Sequence, residues 1–306
     1  MQTQVETSSE LVIEQKKAKH KSKVKRWAKL LFRSKTGTVG LIIVLSMVLM
    51  ALFADVIAPH DPAKTNVTER LQPPVWAEGG SSTYILGTDN LGRDILSRII
   101  VGSRVSLLVG ISAVIVAGAI GLSMGLIAGY YGGFLDRSIM RLVDAFLAIP
   151  NILFMLIILA VVGPSLITLI IVLGVTTWVT YARMVRSETL SIKERDYVKS
   201  ARAIGAKDFR IISTYILPNI ISSFIVIATL NVATTIILES SLSFLGLGIQ
   251  PPDVSWGLML SDGRQYIATS WWVATFPGIA ITLTVLGIIF LGDWLRDVLD
   301  PKMKAS

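Results

Sequence analysis

The chain has 306 residues, 52% of them hydrophobic and only 16% charged, against about 25% charged in typical soluble domains. With a mean hydropathy of +0.65, an ordinary soluble domain is excluded, and six apolar runs leave little sequence for a separate catalytic domain. Cysteine is absent, the only histidines are His20 and His60, and the formal charge of +8 must be read from where it falls. Disulfides and thiolate sites are therefore ruled out, and a histidine-based metal or acid–base centre is argued against.

Residues 1–15 are polar and aperiodic, as in disordered segments. Residues 16–35 carry ten Lys/Arg, with Val24, Trp27, Ala28 and Leu31 at helical spacing. Two readings stand open: a helix lying on an anionic membrane surface, or a solvated basic tail that fixes orientation. No aromatic or Gly-rich recognition pattern accompanies the run, so nucleic acid is not an expected partner.

The first apolar span covers 39–54 and is expected to be an uncleaved anchor, because its basic flank is long and further spans follow. A polar outer segment, 59–104, contains Asp89 as the expected cap of a short helix with Ile95, Leu96, Ile99 and Ile100 on one face. The second span, 105–129, holds Ala113, Ala117, Gly121, Gly125 and Gly129 in register every four residues, a stripe that lets another helix approach closely. The third span, 142–162, begins beside Arg137, Arg141 and Asp144, expected as an ion-paired interfacial band. Pro150 should bend this span by removing a backbone donor. The fourth span is 166–181.

A charged loop, 183–218, follows. Asp196 reads as an N-cap and Gly205 as a left-handed helix end, with Tyr197, Ala201 and Ile204 on one face between them. Such a helix either docks in a partner's groove or merely joins two spans. The fifth span is 220–238, with Glu239 at its outer end; an acid there is a functional candidate, with a headgroup-level carboxylate paired to a neighbouring helix as the plainer reading. Outer loop 239–272 carries Trp256, Trp271 and Trp272, expected in the interfacial belt, and Gly246-Leu247-Gly248, read as a turn. The sixth span is 273–291.

With both termini inside, 23 of the 29 Lys/Arg fall on the cytoplasmic side, as the positive-inside rule requires. Arg93, Arg98 and Arg104 are a mild counter-signal. No Gly-x-x-x-x-Gly-Lys-Ser/Thr phosphate loop, His-Glu-x-x-His or Gly-x-Ser-x-Gly occurs, so no cofactor is expected on this chain.

Residues 199–218 resemble the cytoplasmic loop of ABC-importer permeases. Ala201, Gly205, Leu217 and Pro218 are in register with that pattern, while Lys199, Ser200 and Tyr215 depart from it; Lys199 cannot inherit the role of the acid it replaces. Leu86-Gly87-Thr88-Asp89 with Gly92-Arg93-Asp94, Leu242 to Gly248 with Pro251-Pro252 and Ser255-Trp256-Gly257, and Leu291-Gly292-Asp293 through Asp300-Pro301 are similar to the second permease subunit of dipeptide, oligopeptide, nickel and glutathione importers. The resemblance covers about 37–301.

It implies an all-α polytopic membrane protein of six transmembrane helices, like an ABC type I importer permease. The expected layout is a cytoplasmic basic tail (1–36), a permease domain (37–301) and a short tail (302–306), in the cell membrane. The implied partners are a second permease in a heterodimer, two ATPase subunits holding ATP and Mg, an extracytoplasmic substrate-binding protein and membrane lipid. Coupling to the ATPase would fall on Tyr197, Ala201, Arg202, Ile204, Gly205, Asp208, Leu217 and Pro218, with Asp144 and Glu239 as candidates for the translocation path. The expected cargo is a dipeptide or oligopeptide, the alternatives being nickel or glutathione. An autonomous secondary transporter is a rival class, but no repeat relates 37–165 to 166–291.

Overall fold

The computed structural model describes residues 30–299; most of the basic run and the C-terminal tail lie outside them. Among the described residues there are helices and no strand. Five helices are long and apolar enough to cross a membrane, and a sixth span forms if one sharply bent pair counts as a single crossing.

Helix α1 (Lys35–Leu52) starts where the Ser34 side chain accepts from the Gly37 amide at 3.1 Å, and a single turn, α2 (Ala54–Ile57), follows. The loop then runs to α3 (Ile95–Tyr131), whose 37 residues span about 55 Å, well beyond a hydrocarbon core of about 30 Å. The expected short helix is thus not separate: it is the first part of α3, and it is buried. Its cap is Asp94, which accepts from the Ser97 amide at 3.0 Å, and not Asp89. Asp89 instead folds its own loop, accepting from the Leu91 and Arg93 amides at 2.8 and 2.9 Å.

The third span breaks as its proline requires. Helix α4 (Gly133–Ala148) and helix α5 (Asn151–Val162) meet at 87° across Ile149-Pro150. Helix α6 (Leu166–Lys193), capped by Ser165, runs three turns past the expected end of the fourth span. It lies along the small-residue stripe of α3. A Cβ on Gly121 would come within 2.4 Å of the Tyr181 Cβ, and one on Gly125 within 2.7 Å of the Ala182 carbonyl. Only a side chain of a single hydrogen permits that approach.

Beyond α6 come two short helices, α7 (Asp196–Ala203) and α8 (Asp208–Ile211). Helix α8 continues through one wide π turn, Ile212–Ile216, into α9 (Leu217–Phe244). Pro218 supplies no N–H to the preceding turn, and the Leu217 amide reaches back five residues to the Ile212 carbonyl. Helix α10 (Trp256–Gly263) and helix α11 (Trp272–Leu299) complete the chain. Helix α11 packs on α1 at Gly40, where an added Cβ would meet the Gly287 carbonyl at 2.8 Å.

Candidate functional site

Two regions at opposite ends of this bundle concentrate polar and unusual features. At the first, α7 is an eight-residue helix, too short to persist without tertiary support. Val198 and Ala201 supply that support: both are buried, Val198 in a cluster with Val185, Ile192, Ile211, Ile216 and Ile220. The helix ends in a Schellman motif. Gly205 has φ +80°, its amide donates to the Arg202 carbonyl at 3.0 Å, and the Ala206 amide donates to the Ala201 carbonyl at 3.1 Å. Nothing lies within 4 Å of a Cβ added at Gly205, so the demand for glycine is purely conformational.

The connection is tied to the end of α3. The Tyr130 hydroxyl donates to Asp208 at 2.6 Å, the Arg202 guanidinium sits 5.6 Å from the Tyr130 ring centre, and Lys193 donates to the Gly129 carbonyl at 2.9 Å. Facing away, among exposed charged residues such as Arg195, Lys199, Lys207 and Arg210, are three large apolar side chains: Ile204 is 85% exposed, Phe209 82% and Tyr197 40%.

Tyr197, Ile204 and Gly205 are exposed, but Ala201 turns inward and carries the helix instead of presenting a surface, so the three residues expected on one face do not share it. Arg202 and Asp208 are exposed, and Leu217 and Pro218 lie at the start of α9. Arg195, and not Asp196, occupies the cap; Asp196 is the first helical residue, where its charge still suits the helix dipole. Phe209 was not found in the sequence, although an aromatic alone between Lys207, Asp208 and Arg210 is a signal that could have found it.

Lys199 forms a surface ion pair with Glu194 at 3.1 Å, and that hydrogen bond holds the Glu194 carboxyl below its usual range. The expected band of Arg137, Arg141 and Asp144 does not form. Asp144 is exposed, and the ion pair here is a bidentate one between Arg186 of α6 and Asp136 of α4, with Nη2 to Oδ2 at 2.7 Å.

At the other end, Glu239 is wholly buried, which corrects the headgroup-level reading. It accepts from the hydroxyls of Ser243 at 2.8 Å, Ser255 at 2.9 Å and Ser240 at 3.3 Å. Two of these serines hold other backbone in place. Ser255 caps α10 by accepting from the Leu258 amide at 3.2 Å, and Ser243 accepts from the Ile249 amide at 3.3 Å. The carboxylate thus clasps the end of α9, the following turn and the start of α10. That turn is again a Schellman end: Gly246 has φ +85°, and the Leu247 amide donates to the Leu242 carbonyl at 3.0 Å.

Trp256 is no belt residue: it is fully buried, donating its indole N–H to the Ile99 carbonyl at 2.9 Å. Trp272 is buried too and donates to the Thr88 carbonyl at 3.2 Å, whereas Trp271 is exposed. The misplaced basic residues also find their reason here. Arg93 bonds Asp89 at 2.6 Å and Asp262 at 3.2 Å, and the buried Arg98 reaches Asp262 at 3.3 Å. Burial pushes the Asp262 carboxyl up, with the Arg98 and Arg93 charges pulling the other way. Arg104 pairs with Asp55 at 3.1 Å.

Residues 121–305 match the family model described as "Binding-protein-dependent transport system inner membrane component", and residues 23–74 match that of the "N-terminal TM domain of oligopeptide transport permease C". The chain is 44% identical over 265 residues to the di/tripeptide transport system permease protein DppC of Pseudomonas aeruginosa, covering 87% of this chain and 88% of that protein. It is 41% identical over 279 residues to the glutathione transport system permease protein GsiD of Pectobacterium atrosepticum, covering 91% of each. An inward-facing MetNI methionine ABC transporter structure superposes with a TM-score of 0.56 at 23% identity, over 67% of this chain and 98% of that one, which supports the fold.

Proposed function

The chain belongs to the binding-protein-dependent transport system inner membrane components, and from that membership we propose that it carries dipeptides or short oligopeptides across the cytoplasmic membrane as one of two permease subunits. The names of its relatives support this cargo: di/tripeptide and dipeptide systems, with glutathione, itself a small peptide, in another. ATP and Mg sit on two separate ATPase subunits, and a binding protein outside delivers cargo. Both termini are cytoplasmic, a placement supported by 23 of the 29 Lys/Arg falling on that side.

The observation that carries the coupling role is the elbow formed by α7 and α8. It exposes almost fully both Ile204, at the end of a short helix whose inward face is anchored and whose end is fixed by Gly205, and Phe209, on α8 just beyond. Large apolar side chains held rigidly toward water mark a surface that a partner covers. In this reading Tyr197, Arg202, Ile204 and Phe209 meet the ATPase, Ala201 and Gly205 hold the elbow's shape, and Asp208, Leu217 and Pro218 pass its displacement into α9.

The experiment is reconstitution of the whole importer in proteoliposomes. Cargo-loaded binding protein should stimulate ATP hydrolysis in the wild type, and Ile204→Asp with Phe209→Asp should abolish that stimulation while the permease pair still assembles. Stimulation that survives both changes would sink the coupling role.

A further inference from the structure

A cavity of about 340 Å³ lies at the break in the third span, between Ile149-Pro150 and the facing sides of α6 and α9. Its lining includes Asn151, Thr176, Thr177, Thr180, Asn231 and Thr234, and no charged residue lines it. Such a concentration of neutral polar groups midway along apolar helices has a cost in lipid. Three of them, Asn151, Thr180 and Thr234, are exposed on the chain's surface.

The break adds backbone to the same place, because the last carbonyls of α4 and the first amides of α5 lack intrahelical partners. Irregular backbone at membrane depth is tolerated where it is buried in protein or lines a wet cavity.

The hydrogen-bonding character of the wall is specific. Thr176 and Thr177 spend their hydroxyl hydrogens on the Val172 and Leu173 carbonyls at 2.7 and 2.6 Å, so toward the cavity they offer oxygen lone pairs. The asparagine amides supply both donors and acceptors. A wall of mixed neutral donors and acceptors complements a secondary amide, which has one of each. It offers no carboxylate, imidazole or thiolate to a metal ion and no ion partner to a charged terminus. Asp144 and Glu239, the acids first considered for a cargo path, do not line it. The volume is near the lower end of the roughly 300–1,000 Å³ found for small-ligand pockets.

Building on the cargo reading above, we propose that this cavity is a transit subsite that holds the amide backbone of a peptide through neutral hydrogen bonds.

The test uses the complete importer: this chain with its second permease, ATPase subunits and binding protein in proteoliposomes, with radiolabelled dialanine as probe. Thr180→Val with Asn231→Leu removes hydrogen bonding while keeping the number and branching of non-hydrogen side-chain atoms. Uptake should fall about tenfold while stimulation of ATP hydrolysis by loaded binding protein is retained, and Thr180→Ser should keep uptake near the wild-type rate. Because the chain has no cysteine, Thr234→Cys gives a second readout: a small methanethiosulfonate reagent should block uptake, and saturating dialanine should slow the modification.

Unaltered uptake in the double variant, equal loss of uptake and ATPase stimulation, or modification indifferent to dialanine would each overturn the subsite. A wild-type importer that takes up no peptide sinks the cargo reading itself and the subsite with it. Peptide uptake by the wild type alongside unaffected variants sinks the subsite alone.

Discussion

The elbow at α7 and α8 and the clasp around Glu239 are built on opposite principles. The elbow turns large apolar groups outward and is fixed by a helix end, one hydroxyl–carboxylate bond and a small inward cluster. The clasp turns a carboxylate inward and saturates it with three hydroxyls, Ser240 and Ser243 from its own helix and Ser255 from the cap of α10. Partners are missing at the first and present in full at the second. A surface that must be met from outside tolerates unfinished contacts, whereas a joint that must travel as one body does not.

Changes at each end should therefore fail differently. Glu239→Ala is the severest: it strands the hydroxyls of Ser243 and Ser255 in a dry site, at a cost of about 2–4 kcal/mol. It should appear as a clear fall in melting temperature and in yield of the purified complex, with Glu239→Gln much milder. An alanine variant as stable as the wild type would dissolve the contrast. Gly205→Val comes next. A β-branched residue at positive φ costs about 1–3 kcal/mol, but the strain is confined to the elbow. The purified complex should melt within a degree or two of the wild type while ATPase stimulation by loaded binding protein is lost.

Phe209→Ala should lower that stimulation several-fold with no change in melting, since the ring is almost wholly exposed. Smallest of all, Arg104→Ala removes a bidentate pair with the exposed Asp55 and the Nε–H bond to the Ala51 carbonyl at 3.0 Å, together worth about 1 kcal/mol. Melting should fall by only a few degrees and coupling should not change, so the variant serves as the reference for the other three.

Features fixed by local chemistry were readable from the chain alone. Apolar runs of span length, the four-residue spacing from Ala113 to Gly129, the break at Pro150 and the left-handed end at Gly205 are each decided by neighbours within a turn or two. Features decided by distant partners were not. Ser255 reaches Glu239 across sixteen residues, and Trp256 finds the Ile99 carbonyl across 157, so a headgroup carboxylate and a belt tryptophan were reasonable readings of isolated residues. Asp89 and Asp94 are both plausible caps, and only the loop's fold, in which Asp89 is consumed by Leu91, Arg93 and Arg98, chooses between them. Along α7, periodicity put Tyr197, Ala201 and Ile204 on one face, whereas the packing against α8 buries Ala201 and leaves Ile204, just past the helix end, exposed.

The wide turn at Ile212–Ile216 links these two ends along one rod. An α-helix advances about 100° per residue, so absorbing that surplus residue into a regular α-helical register would rotate Phe209 about the axis by about that angle while leaving the Glu239 end unturned. The rod is thus jointed like a crank: torque delivered at its foot need not be delivered at its head, and the register of one turn decides how much passes through.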